Sequence, residues 1–134
     1  MRWMLDTDTC IYVMKQQPPQ VRQRLRRVAI GEVGVSAIVV AELEFGVAKS
    51  KRRRGNAAAL GDFLGYCMVL DWPREAAATY ADIRSTLEAQ GTSIGGNDLL
   101  IAAHALQLGS TLVTNNTAEF KRVAGLALEN WRAP

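Results

Sequence analysis

The chain has 134 residues, 49% of them hydrophobic and 22% charged, enough to build one domain (residues 1–134) around its own core without structural metal. One histidine and two distant cysteines, Cys10 and Cys67, argue against a zinc site or a disulfide framework and for two buried thiols in a reducing compartment. The net charge of +3 is uneven: residues 1–54 carry +6 and residues 55–134 carry −3, a bias that attracts polyanions.

In chain order, Trp3-Met4-Leu5 reads as a short buried strand. Thr7 to Thr9 offer caps for a helix through Ile11, Tyr12 and Val13. Pro18-Pro19 interrupts, and a basic helix resumes from Gln20 to Val28. Val33-Gly34-Val35 is a second strand, and Ser36 caps a helix to about Ser50. The arginine run and Gly55 mark a turn before a helix from Asn56 to Leu64. Cys67 to Leu70 is a third strand. Pro73 suits the first turn of a long helix ending near Gln90, with Gly91 as its left-handed stop. After the loop Thr92 to Gly96, the span Asn97 to Leu108 is a nearly all-apolar helix stopped by Gly109. Thr111 to Thr114 is a fourth strand, Asn115-Asn116-Thr117 opens a short helix, and Ala127 to Trp131 is a fifth strand at the edge. This alternation predicts an α/β fold, a central mainly parallel sheet flanked by helices. No apolar run approaches the roughly 20 residues of a membrane span, and Asp6 comes too early for a signal peptide. The expectation is a soluble cytoplasmic protein with no membrane contact.

Acids occupy positions where apolar residues would be cheaper. Asp6 directly follows a buried strand, and the carboxyl ends of parallel strands are where ligands bind. Asp98 opens the most apolar helix. The helix dipole would stabilise an anion there by about 0.3–1 kcal/mol, but that does not explain Asp6. Glu42 and Glu44 lie in an apolar helix, and periodicity does not choose between them. Thr114-Asn115-Asn116 ends another strand, with Glu119 one turn on. Carboxylates that share a pocket cannot all ionise without a cation. Oxygen ligands without thiolates or paired histidines point to Mg²⁺, with Mn²⁺ as a substitute. Beside basic surface, that equipment suits metal-assisted hydrolysis of a phosphodiester.

Four stretches carry a family resemblance over nearly the whole chain. They are Met4-Leu5-Asp6-Thr7-Asp8; Val40-Ala41-Glu42-Leu43-Glu44-Phe45-Gly46 with Ala48-Lys49-Ser50; Ile94 to Ala105, containing Gly95-Gly96-Asn97-Asp98; and Leu112 to Phe120, containing Thr114-Asn115-Asn116. In this order and at these separations the chain resembles the PIN-domain endoribonuclease toxins of bacterial type II toxin–antitoxin modules, the VapC group. The resemblance implies a PIN fold, a three-layer α/β architecture, and Mg²⁺ or Mn²⁺ dependence. It also implies inhibition by a cognate VapB-like antitoxin that inserts a peptide into the active site. Homodimers are usual in the group, with larger toxin–antitoxin assemblies that reach promoter DNA only through the antitoxin. The family's acids fall on Asp6, Glu42 (not Glu44) and Asp98, with Asp6 and Asp98 as metal ligands. The most similar subgroup cleaves the anticodon stem-loop of initiator transfer RNA, which makes tRNA the expected substrate.

One departure stands out. Many PIN domains have a fourth acid where this chain has Asn116, and Glu119 is the candidate replacement, the alternative being a plain helix-start acid. Asp8 is either an outer support of the site or a helix cap. Thr114 is expected to hydrogen-bond a metal water, and Lys51, Arg52, Arg53 and Arg54 to contact RNA, the alternative being solvated surface. His104, alone on an apolar helix, reads as a core residue, and Trp3, Trp72 and Trp131 as core or dimer contacts. Two other readings stay open from sequence: a catalytically silent RNA-binding or regulatory PIN module, and a metal-dependent nuclease directed at DNA.

Overall fold

Short runs of apolar and β-branched residues build the centre of the molecule. In the computed structural model, which describes residues 1–133, they form five strands: β1 (Trp3–Leu5), β2 (Val33–Ser36), β3 (Met68–Leu70), β4 (Thr111–Val113) and β5 (Leu128–Glu129). The sheet order is β3-β2-β1-β4-β5, and every pair is parallel. Met4, Leu5, Val33, Val35, Leu112 and Val113 are each no more than 1% exposed, as expected of strands covered on both faces. The outer strand β3 differs, with Met68 and Val69 each 47% exposed.

Among the described residues seven α-helices join these strands: α1 (Thr7–Lys15), α2 (Pro19–Leu25), α3 (Ala37–Ala48), α4 (Arg53–Leu64), α5 (Ala76–Ala89), α6 (Gly96–Leu108) and α7 (Thr117–Phe120). A 3₁₀ turn, Ile30–Glu32, leads into β2. Ser36 caps α3 by accepting from the Ile38 N–H, as its sequence position implies. Gly91 and Gly109 follow α5 and α6 with φ of +67° and +68°, the left-handed stops expected of them. Helix α6 buries Leu99, Ile101, Ala102, Ala103 and Ala105.

Four sequence expectations need correction. The cap of α1 is Asp6, whose carboxylate accepts the Thr7 N–H, because the Thr7 and Thr9 hydroxyls are engaged elsewhere. The arginine run is not a turn that runs through Gly55: α4 already begins at Arg53. Burial of Leu60 and Phe63 at 2% and 5% exposure sets that helix, and an exposed glycine in its first turn is tolerated because tertiary packing outweighs propensity. Helix α5 begins at Ala76, and Pro73 stands in the turn before it, its carbonyl accepting from the Ala76 N–H. Cys10 is buried, but Cys67 is only half-buried. Desolvation pushes the first thiol well up and the second to about 11, so both stay protonated near neutral pH.

Candidate active site

The order of strands decides where the acids meet. From β1 the chain first builds outward through β2 to β3, then returns to place β4 on the other side of β1. The carboxyl ends of β1 and β4 therefore flank the reversal point of the sheet, where open α/β sheets bind ligands. Asp6 leaves β1 there and Thr114 leaves β4. The Asp6 N–H still donates to the Val113 carbonyl at 2.9 Å, so the carboxylate is fixed to the end of the ladder.

Asp6 is 6% exposed. Its Oδ1 accepts the Thr7 N–H at 2.8 Å, and its Oδ2 accepts the Thr114 hydroxyl at 2.8 Å. Burial, and then the charge of Asp8, raise its pKa from the usual 3.8 to about 6 against those two hydrogen bonds. Thr114 is fully buried and places its proton on Asp6, while its oxygen accepts the Asn116 N–H at 3.0 Å. It thus holds Asp6 directly. Asp8 accepts the Asn115 N–H at 3.0 Å and the Thr9 hydroxyl at 3.2 Å. It pins the loop after β4 to the start of α1, a supporting position.

Asp98 stands in the first turn of α6. Partial burial, then the charges of Asp6, Glu119 and Glu42, raise its pKa from 3.8 to about 7. Glu119 moves the opposite way: the Asn116 side chain and the Gly95 N–H donate to it and hold its pKa low. Those bonds are 2.5 Å and 3.1 Å long. Asn116, at the expected position of a fourth acid, therefore holds Glu119, whose charge helps to raise Asp98.

Structure also separates the two glutamates of α3. Glu44 is exposed, whereas Glu42 is half-buried and accepts the Thr7 hydroxyl at 2.5 Å and the Asn97 amide at 3.4 Å. Its charge bears on both Asp6 and Asp98. Asp6, Glu42, Asp98 and Glu119 thus come together from four elements. Thr7, Asn97 and Gly95 were not singled out from sequence, since their partners lie 24 to 55 residues away and no local pattern marks such pairs.

Lys51 and Arg52 to Arg54 do not join the acids. They are exposed, Lys51 and Arg52 between α3 and α4 and Arg53 and Arg54 in the first turn of α4, and the end of α3 lies roughly 10 Å along the helix axis from Glu42 at 1.5 Å per residue. His104 is 1% exposed, its Nδ1 is 2.9 Å from the Ser36 hydroxyl, and burial lowers its pKa. It ties α6 to the cap of α3 within the core. Trp3 and Trp131 are buried edge to face with centroids 5.9 Å apart, and Arg24 lies over both rings. Trp72 donates its indole N–H to the Leu100 carbonyl.

Among the described residues no lysine or arginine forms an ion pair with any of the four acids. Their donors are all oxygens, and burial first, then neighbouring negative charge, makes Asp6 and Asp98 hold protons above the ordinary carboxylate range. That is the chemistry a hard divalent cation answers, although no three such side chains among the described residues already form a ligating group.

Comparison with known proteins agrees with this geometry. The family model described as "PIN domain" matches residues 3–126. Ribonuclease VapC2 of Rickettsia felis is 42% identical over 132 residues, 98% of each chain. The tRNA(fMet)-specific endonuclease VapC of Shigella flexneri is 39% identical over 131 residues, again 98% of each. The solved structure of DNA-bound VapBC from Salmonella typhimurium superposes with a TM-score of 0.92 at 37% identity, covering 98% of both chains. A sheet with this order, acids at its reversal point and full-length similarity of this degree lead to one assignment: the chain belongs to the PIN-domain family, in its VapC ribonuclease group.

Proposed function

We propose that this chain is the toxin of a toxin–antitoxin pair, an endoribonuclease that depends on Mg²⁺ or Mn²⁺ and cleaves tRNA. The observation that carries the reading is the convergence of Asp6, Glu42, Asp98 and Glu119 without a neutralising cation. In this reading Asp6 and Asp98 hold the metal, and Glu42 and Glu119 complete the catalytic set. When bound, the ion lowers the pKa of a water and stabilises charge on the phosphoryl oxygens.

The side chains contribute position and proton handling. Thr114 and the Thr7 N–H fix both oxygens of Asp6, so its orientation survives the loss of its proton. Asn116 and Gly95 keep Glu119 ionised beside Asp98, which holds a proton more readily. That asymmetry suits Asp98 to release its proton as the ion arrives. His104 is in the core, so acid–base shuttling through the RNA 2′-hydroxyl, commonly done by histidines, lacks its usual groups. Attack by water is expected to leave 5′-phosphate and 3′-hydroxyl ends.

Initiator tRNA is the proposed substrate, on the strength of the relatives named as tRNA(fMet)-specific endonucleases at 37–39% identity. A VapB-like antitoxin is the proposed partner, since related structures are VapBC complexes, one bound to a promoter fragment. In this reading the toxin itself is homodimeric and meets promoter DNA only through that antitoxin. No helix among the described residues is long and apolar enough to cross a membrane, in keeping with a proposed cytoplasmic site of action.

The test is purified protein incubated with total RNA, with and without chelator, followed by mapping of the new ends. We expect cleavage in Mg²⁺ or Mn²⁺, none in EDTA, and breaks concentrated in the anticodon stem-loop of initiator tRNA. Full activity in chelator would remove the metal from the reading, and cleavage of DNA in preference to RNA would move the substrate class.

A further inference from the structure

Glu42 owes its place among the four acids to contacts that cross the fold. It projects from the middle of α3 on a side chain with three rotatable torsions, half-buried, with the negative charges of Asp6 and Asp98 bearing on it. Repulsion and side-chain entropy both favour an outward rotamer in water. Yet both of its oxygens are held, and each hold comes from the sequence neighbour of another acid. Thr7, next to Asp6, donates its hydroxyl to Oε1 at 2.5 Å, the short distance typical of an O–H bond to a carboxylate. Asn97, next to Asp98, donates its amide to Oε2 at a longer 3.4 Å. The Thr7 contact joins positions 35 residues apart and links α1 to α3.

We infer that Thr7 is a positioning residue for metal binding: its hydroxyl holds Glu42 facing Asp6 and Asp98 before the ion arrives. The inference rests on the reading of Glu42 as part of the metal-dependent site. A group that orients a carboxylate at a metal site contributes about 10- to 100-fold in metal affinity or activity. Thr7 is also the first residue of α1, but its backbone N–H serves the Asp6 cap, and a change confined to the hydroxyl leaves that cap in place.

The test compares full-length wild type, Thr7→Val, Thr7→Ser, Glu42→Gln and the double variant Thr7→Val/Glu42→Gln, with folding checked by circular dichroism. The primary readout is Mn²⁺ affinity, measured from the electron paramagnetic resonance signal of free ion without RNA. Cleavage kinetics follow. We expect Thr7→Val to weaken Mn²⁺ binding about tenfold and to lower kcat while leaving KM for RNA unchanged. Thr7→Ser should restore both, and the double variant should bind Mn²⁺ no worse than Glu42→Gln alone. Wild-type Mn²⁺ affinity in Thr7→Val, an equal loss in Thr7→Ser, or full additivity in the double variant overturns the role of Thr7 while the reading of Glu42 stands. Wild-type Mn²⁺ affinity in Glu42→Gln overturns the role of Thr7 in metal binding, whereas wild-type kcat in that variant overturns the reading of Glu42.

Discussion

Asp98 has an ordinary pKa of 3.8 and stands at about 7 in the folded chain. Between those values the folded protein holds a proton that the unfolded chain has released. Stability from this group is therefore complete below about pH 4 and declines as pH rises toward 7. Asp6 acts in the same direction, up to about 6. His104 opposes them, because its lowered pKa costs stability as pH falls below 6.5. A difference between variants isolates the aspartate. In EDTA, Asp98→Asn should match wild type below about pH 4, where Asp98 is neutral in the folded and the unfolded chain alike, and exceed it by a few degrees in Tm near pH 8. Saturating Mg²⁺ should reverse the order, since the ion stabilises only the chain that binds it. Thermal unfolding at the two pH values checks this, and a constant Tm difference contradicts it. The same reasoning separates the acids by activity: Asp6→Asn, Glu42→Gln and Asp98→Asn should each lose at least 100-fold in kcat, whereas exposed Glu44→Gln should stay within about twofold of wild type.

At the scale of elements, α4 is electrostatically misassembled for a helix standing alone. Arg52 is its cap and Arg53 and Arg54 form its first turn, with Lys51 just before, at the end where the helix dipole disfavours cations by about 0.3–1 kcal/mol each. None of the four has an acidic partner among the described ion pairs. Replacing Arg52, Arg53 and Arg54 together with Ala should therefore raise Tm slightly while weakening RNA binding. The salt slope should fall by about 0.7–0.9 for each phosphate contact removed, and an unchanged slope returns the cluster to plain solvated surface. This helix also shows where sequence reading fails. Arginines and Gly55 look like a turn because local chemistry says so, whereas Leu60 and Phe63 impose a helix by packing. Strands β1, β2 and β4 were legible because apolar triplets with polar ends have few other uses. Asp6 and Asp98 were legible as acids at the ends of such runs. The choice of Glu42 over Glu44 was not, because it depends on Thr7 and Asn97 approaching from α1 and α6, and the resemblance alone supplied it. Asn116 as a holder of Glu119 was likewise hidden, since an amide three residues before an acid reads as an ordinary helix start.

At the scale of the whole molecule, two apolar clefts adjoin one another, and the second reaches Glu42. One, of about 460 Å³, runs between α1, α2 and α4 over Val13, Leu25, Phe63 and Tyr66, with Arg22 and Arg26 among its lining residues. The next, about 350 Å³, lies between α1, α3 and α4; it shares Met14 and Ala59 with the first and includes Glu42. Ile30 and Tyr66, in the first cleft, are 59% and 61% exposed. We propose a segment of the antitoxin as the occupant, apolar along one face and basic where it reaches Glu42, with Arg22, Arg26 and Asp62 as the charged groups it meets in the first cleft. Tyr66→Asp and Ile30→Asp place charge in the first cleft without touching the buried core. Each should weaken antitoxin binding at least about tenfold, as loss of one well-buried apolar anchor does. RNA cleavage by the free toxin should stay unchanged, because both residues line the first cleft and not the one that holds Glu42. Titration calorimetry with purified antitoxin, beside cleavage assays of each variant alone, reads the two effects separately. Wild-type antitoxin affinity in both variants places the inhibitor elsewhere, and a parallel loss of cleavage means that the cleft belongs to the path of the RNA.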